Sequence, residues 1–167
     1  MNVATPSYSP ITLKRINGEI KQFLKSPPDN IKIYPNPDNI LEIYFLIKGL
    51  DDSPFKDGEY VCKLIHHPQY PMKAPDYYVL TPNGRFDINK KICLTNSAYH
   101  QGEWAPAAWN LLTLLNGFHS IWHSTITEDK IGISHLNYHK DKIKLFSKNS
   151  KEFNQEKLKD IVDKLNS

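Results

Sequence analysis

"ILEIYFLIKGLDDSPFKDGEYVCKLIH", residues 40–66, sets two apolar runs rich in β-branched and aromatic residues on either side of a segment crowded with Asp, Ser, Pro and Gly. Runs of this length and composition, bounded by turn formers, read as strands joined by a loop. Working outward, "IKIY" (31–34) precedes the pair across "PNPDN", and "YYVL" (77–80) follows it across "PQYPMKAPD". Four such runs in succession predict an antiparallel meander.

Helical patterns flank the meander. In "SPITLKRINGEIKQFLKSPPDN", Ile11, Ile16, Ile20, Phe23 and Leu24 fall near helical spacing, with Ser9 as N-cap and Pro10 in the first turn, and Pro27 and Pro28 ending the helix. Beyond the strands, "AAWNLLTLLNGFHSIW" (107–122) resumes an apolar helix, and further helices are predicted near 135–147 and 151–165. Leu158, Ile161, Val162 and Leu165 form an apolar stripe on the last of these. The fold class is therefore α+β, with residues 1–8 as a flexible lead and 9–167 as one domain. A length of 167 residues suits a single core.

The formal net charge of +3 is small and mixed in sign, and no stretch combines clustered Lys/Arg with interleaved aromatics, which argues against nucleic acid. Two cysteines suggest a reducing compartment rather than a disulfide framework. The start "MNVATPSYSP" lacks the order of a signal peptide, and no run of about 18 apolar residues predicts a membrane span in this chain.

Residues 81–106 keep neither period for long, and an irregular stretch of that length in a compact domain is the place to look for chemistry. Cys93 lies there, flanked by Ile92 and Leu94 as a core cysteine would be, but preceded by Lys90 and Lys91, whose charge favours a thiolate. Cys62, in mid-strand "YVCKL", is expected to pack. Upstream, "TPNG" is a turn in which Asn83 and Gly84 tolerate positive φ; alternatively, the Asn83 amide points its donors at an oxyanion formed on an acylated thiol. His100, seven positions after the thiol, is a candidate general base or an ordinary loop hydrogen bonder. The pairs His119/His123 and His135/His139 have helical i, i+4 spacing but lack the glutamate and third ligand of a metal site, so no metal is expected. Trp104 and Trp109 are expected to anchor the loop over the sheet. No phosphate-cradling glycine loop or G-x-S-x-G elbow occurs, which removes nucleotide-dependent and serine-hydrolase readings.

Taken in order, "ITLKRINGEI", "DDSPFKDGEYVCKLI", "YPMKAP", "TPNGRF", "KICLT" and "WAPAAWNLLTLLNGF" resemble the ubiquitin-conjugating enzymes over about residues 9–125. The likeness is to the tail-anchored, ER-associated branch, in which T-P-N replaces H-P-N and the step from the asparagine to the C-L pair is two residues longer. The resemblance implies the ubiquitin-conjugating fold: an N-terminal helix, a four-stranded meander, a long active-site loop, a central helix and C-terminal helices. It implies that Cys93 accepts ubiquitin as a thioester from the activating enzyme and passes it to a substrate lysine, usually with a RING-type ligase, and that Asn83 supports the loop and the oxyanion. It implies no cofactor, because activation is spent upstream. Lys14 and Arg15 match positions that meet the activating enzyme, with a solvated helix face as the plain alternative. Pro106, Ala107 and the segment around "IHHPQYPM" match the ligase site.

Three departures follow. His66 and His67 stand where the family has an apolar residue and a proline, which predicts narrow or pH-sensitive ligase choice. Ala98 replaces a common acid, which weakens a route in which His100 deprotonates a Ser/Thr hydroxyl acceptor. The chain ends at Asn166 and Ser167 without the branch's linker and anchor, so it reads as a catalytic core or a soluble relative, cytoplasmic or at the cytosolic face of the ER. The rival readings are a conjugating enzyme for a ubiquitin-like modifier, a non-catalytic ubiquitin-presenting variant, and a cysteine hydrolase pairing Cys93 with His100.

Overall fold

The computed structural model describes residues 8–92, 104–123 and 138–167. Helix α1 (Pro10–Lys25) starts as its sequence dictates: the Ser9 hydroxyl accepts from the Thr12 N–H at 3.2 Å and Pro10 occupies the first turn. Four strands follow, β1 (Ile31–Pro35), β2 (Glu42–Lys48), β3 (Glu59–Ile65) and β4 (Asp76–Val79), paired antiparallel in the order β1-β2-β3-β4. The meander forms because each connection is short or rich in turn residues.

The register sets Phe45 opposite Cys62 and Leu46 opposite Val61, so the pleat sorts them onto opposite faces. Ile43, Phe45, Ile47, Cys62, Leu64, Tyr77 and Val79 face the main core, against α1 and helix α2 (Leu111–His123). Leu46 and Val61 face the other way, under Val162 and Leu165 of the short helix α4 (Lys159–Leu165). The apolar stripe read from the last helix is thus what covers the outer face of the sheet. A smaller apolar cluster there stands beside the single core expected from length.

Three local expectations need correction. Ile11 and Leu24 do not join the buried face of α1: they are 73% and 56% exposed, while Ile16 and Phe23 are buried. The central helix begins at Leu111, not Ala107, because Asn110 and Thr113 cap each other: Thr113 N–H donates to Asn110 Oδ1 at 3.0 Å and Asn110 N–H to Thr113 Oγ1 at 2.8 Å. Pro106–Ala108 form a separate 3₁₀ turn. Finally, the C-terminal break falls at Leu158, giving one helix α3 (Lys140–Lys157) through the "SKNS" stretch that looked like a gap. Beyond Ile143 its inward face is polar, with Ser147, Ser150 and Asn154 all buried, so an apolar period could not reveal that the helix continues.

The β2–β3 loop plugs one end of the core with Phe55, whose ring meets Tyr60, Trp122 and His123 edge-on. The loop closes through Gly49 N–H to Gly58 O at 3.0 Å. A Cβ on Gly49 would stand 1.9 Å from Phe55 O, so backbone and not a flexible side chain blocks it. Gly49→Ala is expected to lower unfolding free energy by about 1–3 kcal/mol, read from urea denaturation.

Candidate functional site

The turn after β4 is built around one side chain. Asn83, 1% exposed, donates through Nδ2 to Thr81 O at 2.9 Å and Phe86 O at 3.0 Å, and its Oδ1 accepts from the N–H groups of Arg85 and Phe86, each at 2.7 Å. Of the turn pair, only Gly84 has positive φ, at 84°. Asn83 is therefore not needed for backbone tolerance; its amide holds the turn through both its donors and its acceptor. Just downstream, Lys90 pairs with Asp87 at 2.9 Å and Lys91 with Asp76 at 3.5 Å, so the positive charge before residue 93 is offset by carboxylates. Cys93 and His100, with Ala98, lie outside the described residues.

A second group of the singled-out residues comes together between α1 and the 104–109 segment. Arg15 is not an ordinary solvated side chain. Its Nη2 donates to Trp109 O at 3.0 Å and Pro106 O at 3.2 Å, and its Nε is paired with Glu19. Glu19, 6% exposed, accepts from the Tyr70 hydroxyl at 2.7 Å. Burial raises the Glu19 pKa, and the Tyr70 and Arg15 hydrogen bonds work against that rise. Thr12 adds a bond from Oγ1 to Tyr70 O at 2.6 Å, and Trp104 Nε1 donates to Pro71 O at 2.7 Å while its ring stacks on Trp109. Helix α1, the 66–72 segment and the 104–109 loop are thereby one assembly. Lys14, Arg15, Ala107 and Trp109 line a groove of about 650 Å³, and Ile11 lies between it and a second groove lined by Pro68, Gln69 and Met72.

His66 does not face that surface. It is 2% exposed, its Nδ1–H donates to Leu41 O at 3.1 Å, and its ring sits edge-on to Tyr70 at 4.5 Å. It fills an apolar position from the inside, and Pro68, Gln69 and Met72, the last 70% exposed, are what this segment shows to solvent.

Burial drives the His66 pKa down to about 4. His119 and His123 are lowered for the same first reason. These two share a face of α2 as their spacing requires, but they are used as hydrogen bonders: His119 Nε2 lies 3.2 Å from Lys48 O, and His123 Nε2 accepts from the Leu50 N–H at 3.1 Å. His139 N-caps α3, and His135 lies outside the described residues.

A histidine held neutral by folding binds fewer protons native than unfolded. Its contribution is therefore complete above about pH 6.5 and is lost as pH falls toward its folded value. For His66 the loss is on the order of 3 kcal/mol. Glu19 acts oppositely, because a raised carboxylate gains native stability as pH falls. His67 is lowered as well, and four lowered histidines outweigh one raised carboxylate, so unfolding free energy should drop between pH 7.5 and 5, and His66→Leu should flatten that slope.

Comparison with known proteins bears directly on this arrangement. The family model described as "Ubiquitin-conjugating enzyme" matches residues 15–157. The chain belongs to the ubiquitin-conjugating enzyme family. Among its relatives are "Ubiquitin-conjugating enzyme E2 6" of Kluyveromyces lactis, 39% identical over 84% of this chain and 54% of that protein, and "Ubiquitin-conjugating enzyme E2 J1" of Mus musculus, 36% identical over 84% of this chain and 43% of that protein. "Ubiquitin-conjugating enzyme E2 J2-like" of Dictyostelium discoideum is 30% identical over 86% of this chain and 81% of that protein. The chain spans about half the length of the first two.

Within this conjugating-enzyme domain, sequence reasoning singled out Lys14, Arg15, Pro106 and Ala107, and the structure brings all four to one surface. It did not single out Glu19, it named Tyr70 and Met72 only as part of the "IHHPQYPM" segment, and it placed Ile11 with the core positions of the helix. An acid four residues after Arg15 was the available signal for Glu19. Nothing local marked Ile11, which looked like a core position. Among the described residues, no helix is long and apolar enough to cross a membrane.

Proposed function

We propose that this chain is a ubiquitin-conjugating catalytic domain. It takes ubiquitin from the activating enzyme as a thioester on Cys93 and transfers it to a lysine of a substrate, with a RING-type ligase as partner. The observation that carries this reading is the match of the family model across residues 15–157, which spans the Asn83 turn and Cys93. In the first step the Cys93 thiolate attacks the activating enzyme's thioester carbonyl and the activating enzyme's thiolate leaves. In the second a lysine amine attacks, the tetrahedral oxyanion collapses, Cys93 departs as thiolate, and the amine proton passes to water or a base. A thioester suits this relay, because the acyl group stays reactive toward amines with no further activation.

Asn83 holds the turn that shapes the site; toward the oxyanion it has donors of the right type, each shared in this structure with a carbonyl of its own turn. Lys14 and the groove beside Arg15 take the activating enzyme. The ligase takes Pro106, Ala107 and the 66–72 segment through exposed Met72, with His66 acting from beneath as the support of Tyr70. His100 serves a hydroxyl acceptor as base. The domain works in the cytosol at the ER face, in ER-associated degradation, as the likeness to the tail-anchored branch suggests.

Incubation with activating enzyme, ATP and a panel of modifiers, read on a non-reducing gel, tests the reading. A reductant-labile ubiquitin adduct is expected; an adduct only with another modifier reassigns the substrate, and no adduct with any refutes the proposal. His100→Gln is expected to slow discharge onto serine or threonine while leaving discharge onto lysine nearly unchanged, and equal loss of both would remove its role as base.

A further inference from the structure

A buried polar row on α3 has no part in the chemistry above. Ser147, Ser150 and Asn154 recur at three and four residues along one face and are 2%, 1% and 1% exposed. Ser147 Oγ donates to Phe55 O at 3.1 Å, the Glu59 N–H donates to Ser150 Oγ at 3.0 Å, and Asn154 Nδ2 donates to Glu59 O at 2.9 Å. This row docks α3 on the start of β3 by hydrogen bonds with fixed directions. Apolar packing alone would allow the helix to slide.

The row ends at the turn that carries Asn83. Thr81, fully buried, donates from Oγ1 to Asn154 Oδ1 at 2.6 Å and accepts there from the Val61 N–H at 2.9 Å. Its carbonyl is one of the two acceptors of the Asn83 amide. On the far side of Asn83, α3 touches the turn again. A Cβ placed on Gly84 would lie 2.9 Å from Ile143 Cγ1, with Tyr138 and Phe146 close behind. The helix thus grips the turn at residue 81 and at residue 84, and Asn83 is between the grips.

We propose that α3 is a splint for the catalytic turn, with Thr81 and Asn154 as positioning residues that set the orientation of Asn83 and, through it, the rate of ubiquitin transfer. This rests on the function proposed above. The chain of contacts is Asn154 Oδ1 to the Thr81 hydroxyl, the Thr81 carbonyl to Asn83 Nδ2, and Asn83 Oδ1 to the Arg85 and Phe86 amides. A side chain that must meet a developing charge within tenths of an ångström is sensitive to slack in such a chain.

The test separates position from stability. Only folded protein can be loaded, so the first-order discharge of preformed thioester onto free lysine does not depend on the fraction folded. Thr81→Val keeps the shape and removes the hydroxyl; it is expected to discharge roughly tenfold more slowly, while Thr81→Ser restores the rate to within about twofold. Asn154→Ala keeps the bond from Val61 to Thr81 Oγ1 but gives up the one to Glu59 O, so it perturbs the fold differently and serves as the second variant should Thr81→Val fail to fold. It is expected to slow discharge similarly, and the double variant should be no slower than either single. Amide exchange at Arg85 and Phe86 should quicken in the slowed variants. Discharge at the wild-type rate by either loaded variant, or a Thr81→Ser variant as slow as Thr81→Val, overturns the proposal. Failure of the wild-type chain to load at all would instead overturn the proposed function.

Discussion

Cys93→Ser is expected to abolish turnover and leave a ubiquitin adduct that survives reductant. A free thiol has a pKa near 8.5 and supplies some thiolate near neutrality, whereas a serine hydroxyl, far less acidic, supplies almost no alkoxide, so loading itself should slow severely. The ester that does form resists both amines and thiols, because an alkoxide leaves far less readily than a thiolate. Two readouts follow from one substitution: no product with lysine acceptors, and a band that persists on a reducing gel and disappears with mild base. A variant that still turned over would place the acyl carrier elsewhere. Cys93→Ala serves as the control that carries nothing.

Asn83→Ala is expected to produce the largest loss that does not touch the thiol. Truncation leaves the Arg85 and Phe86 amides and the Thr81 and Phe86 carbonyls without their shared partner. Each buried group left unsatisfied costs about 1–3 kcal/mol before water or backbone relaxation compensates, so a loss of several kcal/mol from a total of about 5–15 is expected. Discharge from the loaded enzyme should fall by a further factor of about 10² or more if the amide also meets the oxyanion. Asn83→Asp tells the contributions apart. It keeps the acceptor for both amides but sets a carboxylate oxygen against two carbonyls, and it supplies no donor to a negative charge. Urea denaturation and single-turnover discharge, measured on the same three proteins, assign each share. A discharge rate unchanged in Asn83→Ala would confine this residue to holding the turn.

The strands were legible because each is a short β-rich run bounded by turn formers, and period-2 burial is a local property. The first helix was legible at its start, where Ser9 and Pro10 carry their own chemistry, and less so in its faces. Ile11 is apolar, yet only the rest of the fold determines that it lies outside. The continuity of helix α3 escaped because its buried face beyond Ile143 is Ser147, Ser150 and Asn154, and their partners are backbone groups of residues 55, 56 and 59 and the Thr81 side chain, far away in sequence. Arg15 and Pro106 were both singled out, but that one guanidinium joins them is a matter of tertiary placement. At His66 the substitution was noticed and its depth was not, since a histidine looks alike in sequence whether it faces water or Tyr70.

The depth at which one of the two cysteines is buried has a practical outcome. Cys62 is 0% exposed in the middle of β3, and burial pushes its thiol well above the ordinary range. With two cysteines in the sequence, any alkylating reagent consumed by the native chain reports on residue 93 alone. Modification of Cys62 is expected only when the sheet comes apart, so counting its alkylation by mass gauges global opening separately from any reaction at the proposed acyl carrier.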